Sequence, residues 1–463
     1  MEDRSKSYLF EKMPVGQALR SLAVPTIVSQ IISLIYSVVD GIFIGQTGDA
    51  YKTAAVSLCL TVFLMTISFS NLFGVGGGSL MARLMGQGRG DRAKCVSALS
   101  FYGGIGIALL YSLLVGIFMD PLLHFLGASE NTVGYARQYL MVVVVAGNLP
   151  VILSGIMSHL MRNMGYSRQA AMGLSIGGVL NILLDPLFMF VLLPKGMEVL
   201  GAALATLISN CIGFLYLLVI MFKISRTSPL CMDPRELKNL TLGEVKPFFS
   251  VGVPSGLLTG LFDIANVVLN ILASGHGDLE LAAIGIVMKA ERLPNAINIG
   301  ICQGMLPLVA YNYASGDHKR MSSVISYTLK AGLAVSFAAI LIFELFADPV
   351  CSVFLNTRAG DDAVAAATTV ILAGNFMRIR CLASPVQFLN YSTSFSMQAV
   401  GYGKGTIVHA VFRELVFYIP MMFVLNRLFG EYGLVSALVV GEGAGAVFAM
   451  LLFRHWKKKN VSV

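Results

Sequence analysis

Residues 95–119 read CVSALSFYGGIGIALLYSLLVGIFM, and none of them is charged. Wound as an α-helix, a run of this length crosses the roughly 30 Å hydrocarbon core of a bilayer. Residues 202–222 form a second uncharged run, and 22–44 a third, interrupted only by uncharged polar residues and Asp40. The chain of 463 residues is 56% hydrophobic and 13% charged, about half the charged share of a soluble domain. So apolar a chain has too few polar groups to cover itself in water. A helix satisfies its own backbone hydrogen bonds in lipid. A transmembrane barrel would need segments of about ten alternating residues, and the pattern lacks them. The reading is an all-α polytopic membrane protein.

Twelve spans are expected, at roughly 21–45, 54–81, 95–119, 136–160, 167–193, 199–222, 247–273, 281–310, 324–347, 364–394, 405–426 and 433–453. The intervening loops then fall alternately on two sides. One side gathers most of the cations, from Arg4, Lys6, Lys12 and Arg20 to Lys457, Lys458 and Lys459. The other holds Lys52, Arg137, Lys195, Arg358 and Arg427. By the positive-inside rule both termini are expected in the cytoplasm. The net charge of +8 is thus a topology signal, and no nucleic-acid partner is inferred. The first span is expected to stay uncleaved, because residues 1–20 are charged throughout. The seven cysteines lack metal or redox spacing and read as apolar fillers. Trp456, beside Lys457, reads as an interfacial anchor.

The second half of the chain repeats the first. Pro25 and Pro254 open the first and seventh spans. Gly76 lies in the second span where Gly304 lies in the eighth. Asp120-Pro121 and Asp348-Pro349 close the third and ninth, Pro186 and Pro420 sit late in the fifth and eleventh, and Gly201 and Gly433 open the sixth and twelfth. Between the copies runs 223–246, the most polar interior stretch. The expected organisation is an N-terminal six-helix lobe (1–222), a cytoplasmic linker (223–246) and a C-terminal six-helix lobe (247–463). Six is even, so the two lobes are parallel and related by a pseudo-twofold along the membrane normal, an arrangement used by transporters.

With these features in place the chain resembles the multidrug and toxic compound extrusion (MATE) family, in its bacterial MepA-like branch. The resemblance rests on Pro25, Gln30, Asp40, Gly45 and Gly48, on Gly76-Gly77-Gly78-Ser79, and on Asn181-x-x-x-Asp185-Pro186. It continues through Gly201-Ala202-Ala203-x-Ala205-Thr206, Gln303-Gly304-Met305-x-Pro307, Tyr311-Asn312-Tyr313, Gln398-Ala399-x-Gly401 and Arg413. It implies an antiporter of a bacterial inner membrane that exports amphipathic, often cationic, organic compounds in exchange for sodium ions or protons, with no cofactor. A flippase for lipid-linked precursors, from the same superfamily, is the alternative. One chain supplies both lobes, so a monomer suffices.

A carboxylate inside a span is costly, so its function is the first question asked of it. Asn181 and Asp185, four apart, share one helix face. The resemblance implies a cation site formed by Asp40, Asn181, Asp185 and Thr206. Independently of it, two carboxylates, an amide and a hydroxyl offer hard oxygens to sodium, and two neighbouring carboxylates can share a proton. No other metal site is expected. Gln30, Asp263, Lys289, Arg292 and Arg378 are candidates for the substrate cavity, with Asp263 paired to Lys289 or Arg292. The competing reading of those charges is a structural ion network. Gly173-Leu174-Ser175-Ile176-Gly177 matches the hydrolase pattern G-x-S-x-G, but a membrane helix lacks the strand-turn-helix elbow that chemistry needs. No ATP-binding loop is present, and an enzyme is not expected.

Overall fold

The computed structural model describes residues 2–354 and 363–461. Arg358 and Asp361 lie outside the described residues, and so do the side chains of Arg4 and Lys6. The helices are α1 (Glu2–Glu11), α2 (Val15–Gln46), α3 (Ala50–Gly86), α4 (Gly90–Ile117), α5 (Met119–Phe125), α6 (Glu130–Leu140), α7 (Asn148–Asn163), α8 (Ser167–Pro186) and α9 (Glu198–Ile224). They continue as α10 (Leu242–Ser274), α11 (Asp278–Ala314), α12 (His318–Phe354), α13 (Ala363–Cys381), α14 (Ser384–Val400), α15 (Gly403–Val411) and α16 (Ile419–Asn460).

Twelve spans are assembled from these helices, as the sequence predicts, but several are broken. The fourth is α6 and α7, bent by 47° at Gly147 after a π-helical turn over Met141–Ala146. The fifth passes from α8 into a π-helical turn over Leu187–Leu192. Pro186 lies at that junction, where its missing N–H and bulky ring loosen the ladder. The tenth is α13 plus α14, interrupted at Leu382 and Ala383 just ahead of Pro385. The eleventh holds a third π segment, Phe412–Tyr418, ahead of Pro420. It runs into α16, which turns back at Gly430 (φ 60°, ψ −142°), a conformation open to glycine. The rest of α16 is the twelfth span.

The close approaches between the two halves obey the pseudo-twofold. A Cβ built on Gly76 would lie 2.8 Å from the Cα of Gly252, joining the second span to the seventh. A Cβ on Gly304 would lie 2.7 Å from the Cα of Ala23, joining the eighth to the first. The same exchange relates the contact of Gly256 with Leu72 (3.5 Å from a built Cβ) to that of Ile27 with Gly300 (2.7 Å). Glycine lets these backbones touch where any side chain would hold them apart.

Both termini reach the same end of α11. Phe10 of α1 stacks on Tyr311 at 5.0 Å, and Trp456 meets Tyr313 at 5.6 Å. One large apolar core at this end draws on both halves, from Leu19 and Phe73 to Phe248, Met305 and Ala399. At the opposite end the core divides. One cluster draws only on residues 55–203 and another only on 265–438. The molecule is therefore closed at the end bearing the termini and divided at the other. Ser79 Oγ donates to Gln398 O at 2.6 Å, and Arg83 Nη1 donates to the carbonyls of Gln398 and Ala399. These bonds close the terminal end across the two halves.

Candidate cation site and central cavity

Tyr36 of α2 packs on α8, where its ring would come within 3.2 Å of a Cβ on Gly178. Both helices start near the terminal end and run the same way. One turn beyond Tyr36 comes Asp40; one and two turns beyond Gly178 come Asn181 and Asp185. This register brings Asp40 to the α8 face that carries the amide and the second carboxylate. Asn181 Nδ2 donates to Asp185 Oδ1 at 3.2 Å and to Thr206 Oγ1 of α9 at 3.3 Å. Asp185 is 0% exposed and Asn181 3%.

The acceptors exceed the donors. Asp40 Oδ1, Asn181 Oδ1 and Asp185 Oδ2 are all buried without a hydrogen-bond partner among the described residues. Each unsatisfied buried group costs about 1–3 kcal/mol, more when ionised. A hard cation or a proton among these oxygens removes that cost.

Beside the cluster lies a cavity of about 450 Å³ between the two halves. Gln30, Tyr36, Asn181 and Thr206 line it from the first half, and Gln303, Tyr391 and Gln398 from the second. Phe63 and Phe395 add aromatic surface. Among the described residues lining it, Arg162 is the one Lys, Arg, Asp or Glu. Arg162 donates to Gln303 Oε1 at 2.9 Å and Ser158 Oγ at 3.2 Å across the cavity floor. The expected span boundaries put Arg162 among the loop cations. Its spacing of four from Ser158, within an apolar run, is the signal that places it on a helix face.

Asp263, Lys289, Arg292 and Arg378 are not in the cavity lining. Lys289 and Arg292 are exposed, Asp263 is half-buried, and among the described residues no ion pair joins Asp263 to either. The pairs formed in the second half are different ones. Arg378 meets Asp348 at 3.3 Å near the surface. Glu291, between Lys289 and Arg292 in the chain but turned to the inner side of α11, takes two hydrogen bonds from Arg380, at 3.0 and 2.9 Å. Arg413 binds Glu442 in the same two-pronged way. Ser175 sits within the continuous helix α8.

Comparison with known proteins agrees with this architecture. A family model described as MatE matches residues 25–187 and 254–424, one block in each half. Multidrug export protein MepA of Staphylococcus saprophyticus is 30% identical over 452 residues, covering 96% of this chain and 95% of that protein. Its namesake in Staphylococcus aureus is 29% identical over 445 residues, with the same coverage. A crystal structure of MATE in complex with MaL6 superposes with a TM-score of 0.91 at 23% identity, covering 98% of each chain. The outward-facing conformation of a multidrug resistance MATE family transporter of the MOP superfamily gives 0.87 at 23% identity over 96% of each. With both halves of the chain matched by the family model and nearly its whole length by the relatives, this protein belongs to the MatE family of membrane transporters.

Proposed function

We propose that this protein is a secondary antiporter that exports small amphipathic organic compounds, cationic ones among them, across a bacterial cell membrane in exchange for sodium ions or protons. The observation that carries this reading is the set of three buried, unpartnered oxygens on Asp40, Asn181 and Asp185, beside a cavity between two related halves. Thr206 completes the cation site. Multidrug export in the MepA relatives supports the substrate class, and members of this family are transporters, not enzymes. Residues 1–222 and 247–463 act as the two lobes, 223–246 as the linker, with both termini in the cytoplasm and one chain as the working unit.

In this scheme the end bearing the termini is the cytoplasmic gate. The aromatic faces of Tyr36, Tyr391, Phe63 and Phe395 hold the apolar and cationic parts of a substrate. The carboxylates stand behind Tyr36 and Asn181. A cation arriving among them neutralises charge there and favours the state that exposes the cavity inward, after substrate has left outward. Ethidium efflux from proteoliposomes, driven by an imposed sodium or proton gradient, tests it in wild type and Asp40→Asn. Efflux driven by one gradient and lost in the variant is expected and names the ion. Folded wild type that moves no ethidium under either gradient overturns the reading.

A further inference from the structure

The eleventh span carries a second buried cluster, far from Asp40 in the chain. Arg413 and Glu414 lie in its π-helical segment, and such segments recur at functional sites because they turn extra side chains onto one face. Glu442 approaches from the twelfth span, Asn390 and Tyr391 from α14, and His409 from α15. Arg413 is 2% exposed, Glu414 and Glu442 1%, His409 0%.

The two carboxylates are not treated alike. Glu442 accepts from Arg413 Nε at 2.9 Å and Nη2 at 2.6 Å, and from Asn390 Nδ2 at 2.6 Å. Glu414 meets the same guanidinium as an ion contact of 3.5 Å, and among the described residues neither of its oxygens accepts a hydrogen bond. One guanidinium cannot neutralise two carboxylates, and an uncompensated carboxylate in a dry interior is expensive. Nearby, His409 Nε2 donates to Asn390 Oδ1 at 3.0 Å while its Nδ1 is buried and has no partner among the described residues.

We propose that Glu414, within the cluster of Arg413, Glu442 and His409, is a proton-binding site of the second half, linked to the central cavity through Tyr391. A proton fits where sodium does not. The free acceptors are two oxygens of one side chain and a ring nitrogen, and the guanidinium 3.5 Å away repels a further cation. The other groups facing Glu414 are the phenols of Tyr391 and Tyr418, with the Arg380–Glu291 pair beyond Tyr418. Among the described residues Asp263 on α10 makes no ion pair with any of them. The link to the cavity is direct. The Tyr391 ring lies 5.1 Å from the Arg413 guanidinium and also lines the cavity wall. A cationic compound against that ring from the cavity side draws on the same π electrons as Arg413 and weakens the hold of the ring on the guanidinium. Arg413 then shifts its charge onto the carboxylates, and the proton on Glu414 leaves as its O–H bond breaks to water.

The proposal depends on the cavity binding organic cations, as proposed above. Full-length protein in nanodiscs, weakly buffered with a dissolved pH dye, is mixed with tetraphenylphosphonium. Asp40→Asn should still release protons, and Asp40→Asn combined with Glu414→Gln should lose that release. Equal release from the two, or none from Asp40→Asn, overturns the proposal. Should Glu414→Gln fail to fold, infrared spectroscopy of the Asp40→Asn, Asp185→Asn, Asp263→Asn variant replaces it. A carboxylic-acid carbonyl band that fades as pH rises is expected, and its absence overturns the proposal. That measurement uses neither gradient nor ligand, so failure of the transport reading does not touch it.

Discussion

Gly304→Ala should open the closed end of the protein. The added methyl would lie 2.7 Å from both the Cα and the N of Ala23 and 2.8 Å from its Cβ. Two of those three atoms are backbone, so the first span itself must move. Overpacking of this kind costs about 1–3 kcal/mol. The cost falls only on the state in which the eighth span touches the first, because separating the two halves at that end removes the contact. A differential of about 1–3 kcal/mol shifts a two-state equilibrium roughly 5–150-fold. The assay is labelling of a single cysteine at Ser158, on the cavity floor, in a background without the seven native cysteines. An impermeant maleimide is applied to right-side-out and inside-out vesicles. With glycine at this position, labelling should favour the outside; in Gly304→Ala it should move toward the inside. Unchanged sidedness at normal protein levels would refute the assignment of this contact to the cytoplasmic gate.

Three further outcomes are expected. Removing either partner of the buried Arg380–Glu291 pair leaves the other charge stranded and should cost about 3–5 kcal/mol; Arg380→Met with Glu291→Met should regain most of it, read by thermal unfolding in detergent. Asn181→Ala withdraws the donor that orders Asp185 and Thr206. At about 1–3 kcal/mol for the lost bonds, it should raise the driving-cation concentration for half-maximal efflux by roughly tenfold. Arg83→Met leaves the carbonyls of Gln398 and Ala399 without their guanidinium donor and should raise maleimide labelling at Ser158 from the inside.

The spans were legible in the sequence because lipid imposes a length and a composition on each. The repeat was legible because the residues that recur, proline at span entries and glycine at crossings, answer to backbone geometry that both halves share. Asn181 and Asp185 could be set on one face from their spacing alone. The charged partners of the second half could not. Glu291 and Arg380, or Arg413 and Glu442, lie on different helices, and periodicity reports which way a side chain points on its own helix but not what stands opposite. Hence the sequence matches Asp263 with Lys289 or Arg292, cations of the next span, while the bonded acid of that span is Glu291. The breaks at Gly147 and Leu382 escape for a related reason. Pro150 and Pro385 follow them closely, but proline also sits inside spans that stay whole, such as the eighth at Pro294 and Pro307, so the residue alone does not say which span breaks.

The exchanged contacts of Gly76 with Gly252 and Gly304 with Ala23 bear on ancestry. Had a six-span unit paired with an identical copy, every substitution would have fallen on both sides of the axis at once. A carboxylate gained for ion coupling would then have been gained twice, and so would any residue that closed the gate. Two copies carried on one chain are free to differ. Here one side of the first crossing is Gly252 while its counterpart is Ala23. On the register that matches Pro186 with Pro420, Arg413 and Glu414 fall beside the counterpart of Asn181. Around one such position the first half carries an amide and a carboxylate, and around its twin the second half carries a guanidinium with a carboxylate beside it.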